Sequence, residues 1–416
     1  MDRRPGLPCR GFMSSHADDV DRRRLCGNGL AVSGALALSG CLRRSQSPTI
    51  RIADCHAEDA DPALLRACRR GMQLAQHEIN GRGGIRSLGG RPLQIRAHQV
   101  PSSAASTLIG ACEADLYTGG GGSHAADAIS RHANAHGHLF LATLAMRRAS
   151  PSPAQAPMTF YLRSDAQMLT RMLAAAVRHH EITRWLIIAV DNEEGSQVAD
   201  VFRYALQTDV PAACLVGVHF YSDGYADPVR LNQEIVAASP DGIFSTVRGE
   251  DVRRYLAHPG TAAALAHRTV VSFSRPECND AAHDWHGVRA TRIMTGYDPD
   301  DDRDRSHRAF IQAYRNWYGG APTYPSLIGY VCIQVLAALL ERIGRLEGKH
   351  LAAALEEMAF ETGAGPLIMQ GGTHQASFGA WIGQAEAGGF GGPTTWRFCD
   401  GLLHLPPHAF GSTDEN

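Results

Sequence analysis

The 416-residue chain has one lysine, Lys349, although lysine and arginine together number 40. A phosphate loop of the form G-x-x-x-x-G-K-[ST] is therefore excluded, and a Schiff-base or cofactor-anchoring lysine would have to be Lys349, in the helix-like stretch RLEGKHLAAALEEM. An excess of either charge is missing too. The 40 basic residues face 42 acidic ones, for a net charge of −2 with no long basic run, which removes the electrostatic footprint of a nucleic-acid binder. There is no G-x-S-x-G elbow for serine chemistry, and no two of the ten cysteines stand at C-x-x-C spacing, so zinc knuckles and thioredoxin-type motifs lack support. Apolar runs near twenty residues are not expected beyond the N-terminal segment, so the mature chain reads as soluble.

What is present begins with an address. Arg22–Arg24 precede the uncharged run LCGNGLAVSGALALSGCL, too short and too rich in Gly and Ser to span a membrane comfortably. Its end, Leu38-Ser39-Gly40-Cys41, resembles a lipoprotein signal-peptidase box with Cys41 as the acylated residue. The arginines resemble a twin-arginine export signal with Asp21 where Ser or Thr is usual. Residues 1–48 are read as export signal and linker, starting at Met1 or Met13, and the mature protein as a periplasmic or cell-surface lipoprotein. Seven cysteines then remain, expected mostly as small core residues with at most one or two disulfides.

With 44% hydrophobic and 20% charged residues, the body can bury one large core or two medium ones. TIRIA (49–53) reads as a strand. After Asp61-Pro62 a helix follows whose apolar positions Leu65, Cys68, Met72, Ala75 and Ile79 recur every three or four residues. PLQIRAHQ is a second strand, then come a helix around 102–113, a strand at 115–118, a glycine run, a helix at 124–136 and a strand at 139–143. The pattern restarts with a helix near 166–180 and strands at 185–190, 213–218, 241–246 and 269–274, separated by helices at 195–207 and 228–238. A helical region (306–317, 325–343, 350–358) precedes short strands from Gly363. This alternation predicts an α/β fold of two doubly wound parallel-sheet lobes.

The most conspicuous local feature is Asp115-Leu-Tyr-Thr-Gly119-Gly120-Gly121-Gly122-Ser123-His124, a strand running through glycines into a helix. It brings backbone N–H groups and a helix N-terminus to the carboxyl end of a parallel sheet, where open α/β folds bind ligands. A dinucleotide fits poorly: the run gives a degenerate G-x-G-x-x-A, and the next strand end, LATLAM, lacks the acid a ribose needs. A carboxylate or amide carbonyl fits better. Other groupings carry less. His77-Glu78 lacks the second zincin histidine, since position 81 is glycine, and His179-His180-Glu181 and Cys278, His283 and His286 are clusters that 20 histidines produce by chance. The acidic stretch 298–304 lacks the turn glycine and terminal glutamate of a calcium loop and reads as solvated. No catalytic group, cofactor or metal is implied.

Five stretches together resemble the type I periplasmic solute-binding proteins of ABC transporters that capture branched-chain amino acids, short amides and urea. They are GMQLAQHEINGRGGI (71–85), the strand–glycine–Ser123 loop, FYLRSDAQ (160–167), SPDGIFSTVRGED (239–251) with VVSFS (270–274), and AFIQAYRNWYG (309–319) with FETGAGPLIMQGGTHQ (360–375). VVSFSRPE and the C-terminal region look most like the urea and amide branch. The resemblance implies two lobes joined by three crossings, expected near Arg163, Gly287 and Gly363. One lobe would then comprise 49–163 plus 288–363, and the other 164–287 plus 364–416. A small solute would be trapped by hinge closure and handed to permease subunits without reaction. Gly122, Ser123 and His124, with Thr143 and Ala145, would offer one side of the cleft. Asn192, Glu194, Arg248 and Glu277 would offer the other.

The chain departs from these relatives at Leu144-Ala145-Met146, where amino-acid binders place Ser or Thr and amide binders tend to place tyrosine. It departs again at Asn192-Glu193-Glu194-Gly195, where an aromatic residue is common. Glu194 facing Glu277 would favour an amine-rich solute. A sensor on the same fold, or an α/β enzyme using Gly119–Ser123 for a cofactor, are the other classes the residues allow.

Overall fold

A computed structural model describes residues 49–404, apart from 59, 101–112, 122, 148–151, 211, 248, 274–284, 286, 357 and 387–394 and the side chains of 123, 124 and 209. The expected helix around 102–113 lies outside the described residues, as does Cys41.

The first pass of strands forms β1 (Ile50–Ala57), β2 (Leu93–Val100), β3 (Leu116–Gly119), β4 (Phe140–Ala142) and β5 (Thr159–Tyr161), all paired in parallel. The second forms β6 (Arg184–Val190), β7 (Cys214–Tyr221), β8 (Gly242–Ser245), β9 (Thr269–Ser272) and β10 (Thr291–Gly296), again in parallel. Late strands complete both sheets. β11 (Ala359–Thr362), β12 (Gly365–Gln370) and β13 (Gln375–Ala376) extend the first to the order β11-β12-β13-β5-β4-β3-β1-β2. β14 (Ala380–Ala385) and β15 (Thr395–Cys399) extend the second to β15-β14-β10-β9-β8-β6-β7. The two-sheet α/β architecture is the one the alternating pattern predicts.

The helices are α1 (Pro62–Gly81), α2 (Ser123–His136), α3 (Ala166–Val177), α4 (Glu193–Asp209), α5 (Pro228–Ala238), α6 (Glu250–Ala257), α7 (Thr261–Leu265), α8 (Arg305–Tyr318), α9 (Tyr324–Ile343) and α10 (Gly348–Leu355). α1 starts where the Asp61 carboxylate accepts the Ala63 N–H at 2.8 Å, and it buries the predicted face Leu65, Cys68, Met72, Ala75 and Ile79. At its other end the Asn80 carboxamide bonds both the N–H and the carbonyl of Leu93, fastening the helix to β2.

α9 corrects one expectation. By length and composition it could cross a membrane, but 72% of its most apolar window is buried inside the protein, so it is a core helix. Its backbone lies directly on α1. A Cβ at Gly71 would stand 1.8 Å from the Ser326 carbonyl oxygen, and one at Gly329 would stand 2.1 Å from that of Cys68. Of the five described cysteines, Cys55, Cys68, Cys332 and Cys399 are buried and Cys214 is exposed.

The chain passes between the sheets at residues 162–165, 297–304 and 377–379. The second and third passages lie later than Gly287 and Gly363. β10 was hidden by Thr291, Arg292 and Thr295, yet Arg292 is 4% exposed and its guanidinium stacks on Trp285, so the strand completes the second sheet before the chain leaves. Gly363 and Gly365 instead turn the β11–β12 hairpin, with Gly365 at φ +94°. The first lobe therefore takes in β11–β13, and the second takes in β10.

The acidic stretch is also more than a solvated loop. Asp301 Oδ2 accepts the Trp381 indole N–H and the Arg303 Nε–H, each at 2.7 Å, and Asp304 caps α8. Trp381 belongs to β14 of the second sheet but packs in the core of the first, against Tyr297, His307 and Phe398. Burial would raise the Asp301 carboxyl, but bonds from the Arg303 N–H, the indole and the Arg303 guanidinium outweigh it and hold the group below the ordinary 3.8.

Two expectations follow. Gly71→Ala forces α1 and α9 apart and should cost about 1–3 kcal/mol in urea unfolding; an unchanged midpoint contradicts the close approach. His307 is fully buried, and burial holds its imidazole below 6.5 despite the carbonyl of Gly363 at 3.0 Å. A depressed histidine contributes stability that is present above the unfolded value and is lost as pH falls. The melting temperature should drop on going from about pH 7.5 to about pH 5.5, and His307→Phe should flatten the drop; an equal slope in both proteins contradicts the assignment.

Candidate functional site

Parallel pairing makes β1, β3, β4 and β5 end at one edge of the first sheet, and β6, β8, β9 and β10 at one edge of the second. The three passages leave from the carboxyl ends of β5, β10 and β13. They arrive at the start of α3, α8 and β14, and β14 runs antiparallel to β10, so it begins at that strand's carboxyl end. The carboxyl edges of the two sheets are therefore the edges that the chain joins, and the space between them is the candidate site.

On the first sheet the glycine run behaves as the sequence requires. Gly119 and Gly120 adopt φ +110° and +83°, and a Cβ on Gly119 would stand 2.3 Å from the Cys55 carbonyl oxygen. The loop is tied down on β1: Gly120 N–H donates to the Cys55 carbonyl at 2.9 Å, Ala57 N–H donates to that of Gly121 at 2.8 Å, and Gly121 N–H donates to His56 Nδ1 at 3.0 Å. α2 begins immediately after, at Ser123 and His124. Its N-terminus and positive dipole end therefore lie at the carboxyl edge.

Thr143 sits beside this loop in a supporting position. It is fully buried and its hydroxyl donates to the Gly119 carbonyl at 3.1 Å, so it props the loop from below. Ala145 is half-buried, and its methyl would be 3.1 Å from a Cβ on Gly120. On the second sheet, Asn192 follows β6 and caps α4, its carboxamide oxygen accepting Gly195 N–H at 2.8 Å, while Glu194 lies exposed in the first turn. A helix cap thus accounts for the unusual Asn-Glu-Glu-Gly segment. Gly122, Arg248 and Glu277 lie outside the described residues. The structure gathers Ser123, His124, Thr143 and Ala145 at one edge, and Asn192 and Glu194 at the other.

Sequence reading missed four residues. Asp54 and His56 lie under the glycine loop, their side chains 2.7 Å apart. The signal was a pair of polar residues two positions apart in an otherwise apolar strand. Arg147 and Asp165 join the segment after β4 to the start of α3: Arg147 Nη2 donates to Asp165 Oδ2 at 2.9 Å, and Asp165 Oδ1 accepts the Met168 N–H. Met146, next to Arg147, packs on the second lobe's core. Among the described residues no three His, Cys, Asp or Glu side chains gather as a metal-binding group.

A family model described as periplasmic binding protein matches residues 59–390. Among curated proteins nothing matches significantly. Solved structures of the same fold include the leucine-, isoleucine-, valine-, threonine- and alanine-binding protein of Brucella ovis in its closed conformation, at TM-score 0.73 and 17% identity over 86% of this chain and 97% of that one. A branched-chain amino acid transporter substrate-binding protein of Streptococcus pneumoniae in complex with isoleucine matches at TM-score 0.68 and 16% identity, covering 85% and 99%. A solute-binding protein of Rhodopseudomonas palustris in complex with benzoate matches at 0.65 and 16%, covering 84% and 96%. With a matching model that spans most of its length and two sheets joined at their carboxyl edges, this chain belongs to the periplasmic binding protein family.

Proposed function

We propose that the protein captures a small carboxylate-bearing solute, an amino acid or an aromatic acid, between its two sheets and delivers it unaltered to the permease subunits of an ABC importer. The observation that carries this reading is the start of α2 at the glycine loop, a helix N-terminus whose positive dipole end stands at the edge where the sheets are joined. The solutes in similar structures, isoleucine and benzoate, share a carboxylate. Urea and short amides would offer the same helix end an uncharged carbonyl, and they form the second arm of the test. Thr143 and the His56 contact hold the loop, Ala145 packs beside it, and Asn192 and Glu194 stand on the opposite edge with Arg248 and Glu277 as further candidates. Closing the sheets on a solute desolvates its polar groups, and each one left unpaired costs about 1–3 kcal/mol, so closure is tied to a matching guest. Cys41 is the proposed lipid anchor, which would keep the mature protein beside its permease.

The test is a thermal-shift series on the mature protein with L-leucine, L-isoleucine, benzoate, urea, acetamide and putrescine. A solute at about a hundredfold over its Kd adds roughly 2.7 kcal/mol of stability. An amino acid or benzoate should raise the melting temperature, scattering should show a more compact particle with it, and the solute should be recovered intact. A response only to urea, acetamide or putrescine, or a chemically altered solute, contradicts the proposal. Gly119→Ala should abolish the response, because its Cβ collides with β1 and displaces the loop; wild-type affinity in that variant places the site elsewhere.

A further inference from the structure

Asp54 and His56 lie two residues apart on β1, which puts their side chains on one face of the strand. They are 1% and 0% exposed, in a strand buried along nearly all its length. A buried carboxylate is costly unless it is paired, so its partners indicate its use. Asp54 Oδ1 is 2.7 Å from His56 Nε2, and the other ring nitrogen, Nδ1, receives the Gly121 N–H at 3.0 Å. An N–H donates only to a nitrogen without a proton. The ring proton must then sit on Nε2, where it is donated to Asp54. The chain of bonds has one polarity, from the Gly121 amide into the imidazole and from the imidazole into the carboxylate.

A guanidinium stands beside Asp54. Among the described residues its second oxygen, Oδ2, has no hydrogen-bond partner, and it faces the Arg69 Nε at 3.7 Å. The ring also fits the loop closely: a Cβ on Gly121 would stand 2.8 Å from Nδ1, so glycine is required there by the imidazole beneath it.

We propose that Asp54 and His56 form a positioning dyad, in which the aspartate fixes the histidine tautomer and the histidine fixes Gly121, setting the direction of the α2 N–H groups that hold the solute. The other two ties of the loop to β1 run between backbone groups; this one runs through side chains and depends on where a single proton sits. The inference rests on the solute-site reading for its functional consequence, while the dyad itself is measurable in the empty protein.

The first measurement is nitrogen NMR of His56 in the free mature protein. The expected result is a protonated Nε2 and an unprotonated Nδ1; a protonated Nδ1 overturns the proposal. Three variants then separate positioning from packing. In His56→Asn the carboxamide oxygen takes the place of Nδ1 and should keep Gly121 anchored, with affinity for L-isoleucine or benzoate within about threefold of wild type. His56→Gln reaches towards Asp54 without an acceptor for Gly121. In Asp54→Asn the new amide donates to Nε2 and drives the ring proton onto Nδ1, against the Gly121 N–H. Both should weaken binding by about tenfold or more, as expected for one buried bond left unmade, and both should speed hydrogen exchange at the Gly121 amide. Wild-type affinity together with unchanged Gly121 exchange in His56→Gln and Asp54→Asn overturns the dyad. If wild-type protein binds neither probe, the solute reading fails, and the tautomer and Gly121 exchange still decide the dyad.

Discussion

Parallel pairing obliges every strand of a run to finish at the same edge, and each sheet here collects its loops there. A chain that must pass three times between two such sheets therefore ties carboxyl edge to carboxyl edge, and the rest of the molecule follows from that. The glycine loop, the start of α2 and the Asn192 cap of α4 all belong to loops that end parallel strands. The candidate site needs no separate device to gather it.

Beneath the loop, polar groups do work that backbone pairing alone cannot. Thr143 and His56 each occupy a buried position that an apolar residue would fill more cheaply, and each spends its hydrogen bond on the glycine run. Glycine gives the loop its conformational reach, at φ values other residues resist, and such freedom must be removed if the loop is to present N–H groups in one direction. Supports from β1 and β4 remove it. At the opposite edge, Asn192 turns the chain into α4 and leaves the two glutamates in the first turn, where negative charge suits the helix dipole.

The alternation of strands and helices was legible because apolar runs such as WLIIAV are buried almost throughout, and because α1 keeps its three-and-four spacing. The glycine loop was legible for the same local reason. What escaped reading was set by contacts distant in sequence. β10 carries Arg292, Thr291 and Thr295 in a buried strand, which only the stacking of Arg292 on Trp285 and the neighbouring strands explain. Thr143 was expected beside the cleft, and its bond to the Gly119 carbonyl was not legible, because strand polarity does not say which way a hydroxyl turns. The Asp54–His56 pair could be seen in the letters DCH, but its meaning depends on Gly121, 65 positions away.

Trp381 bears on how the two halves could ever be handled apart. Its strand is counted with the second sheet, while its ring fills the first core and its indole is moored to Asp301 in a passage between them. A graft that exchanged one half for that of a relative would leave either a hole in one core or a stray indole in the other. The two halves are fitted to each other, and the place where the chain joins them is itself a piece of hydrophobic interior.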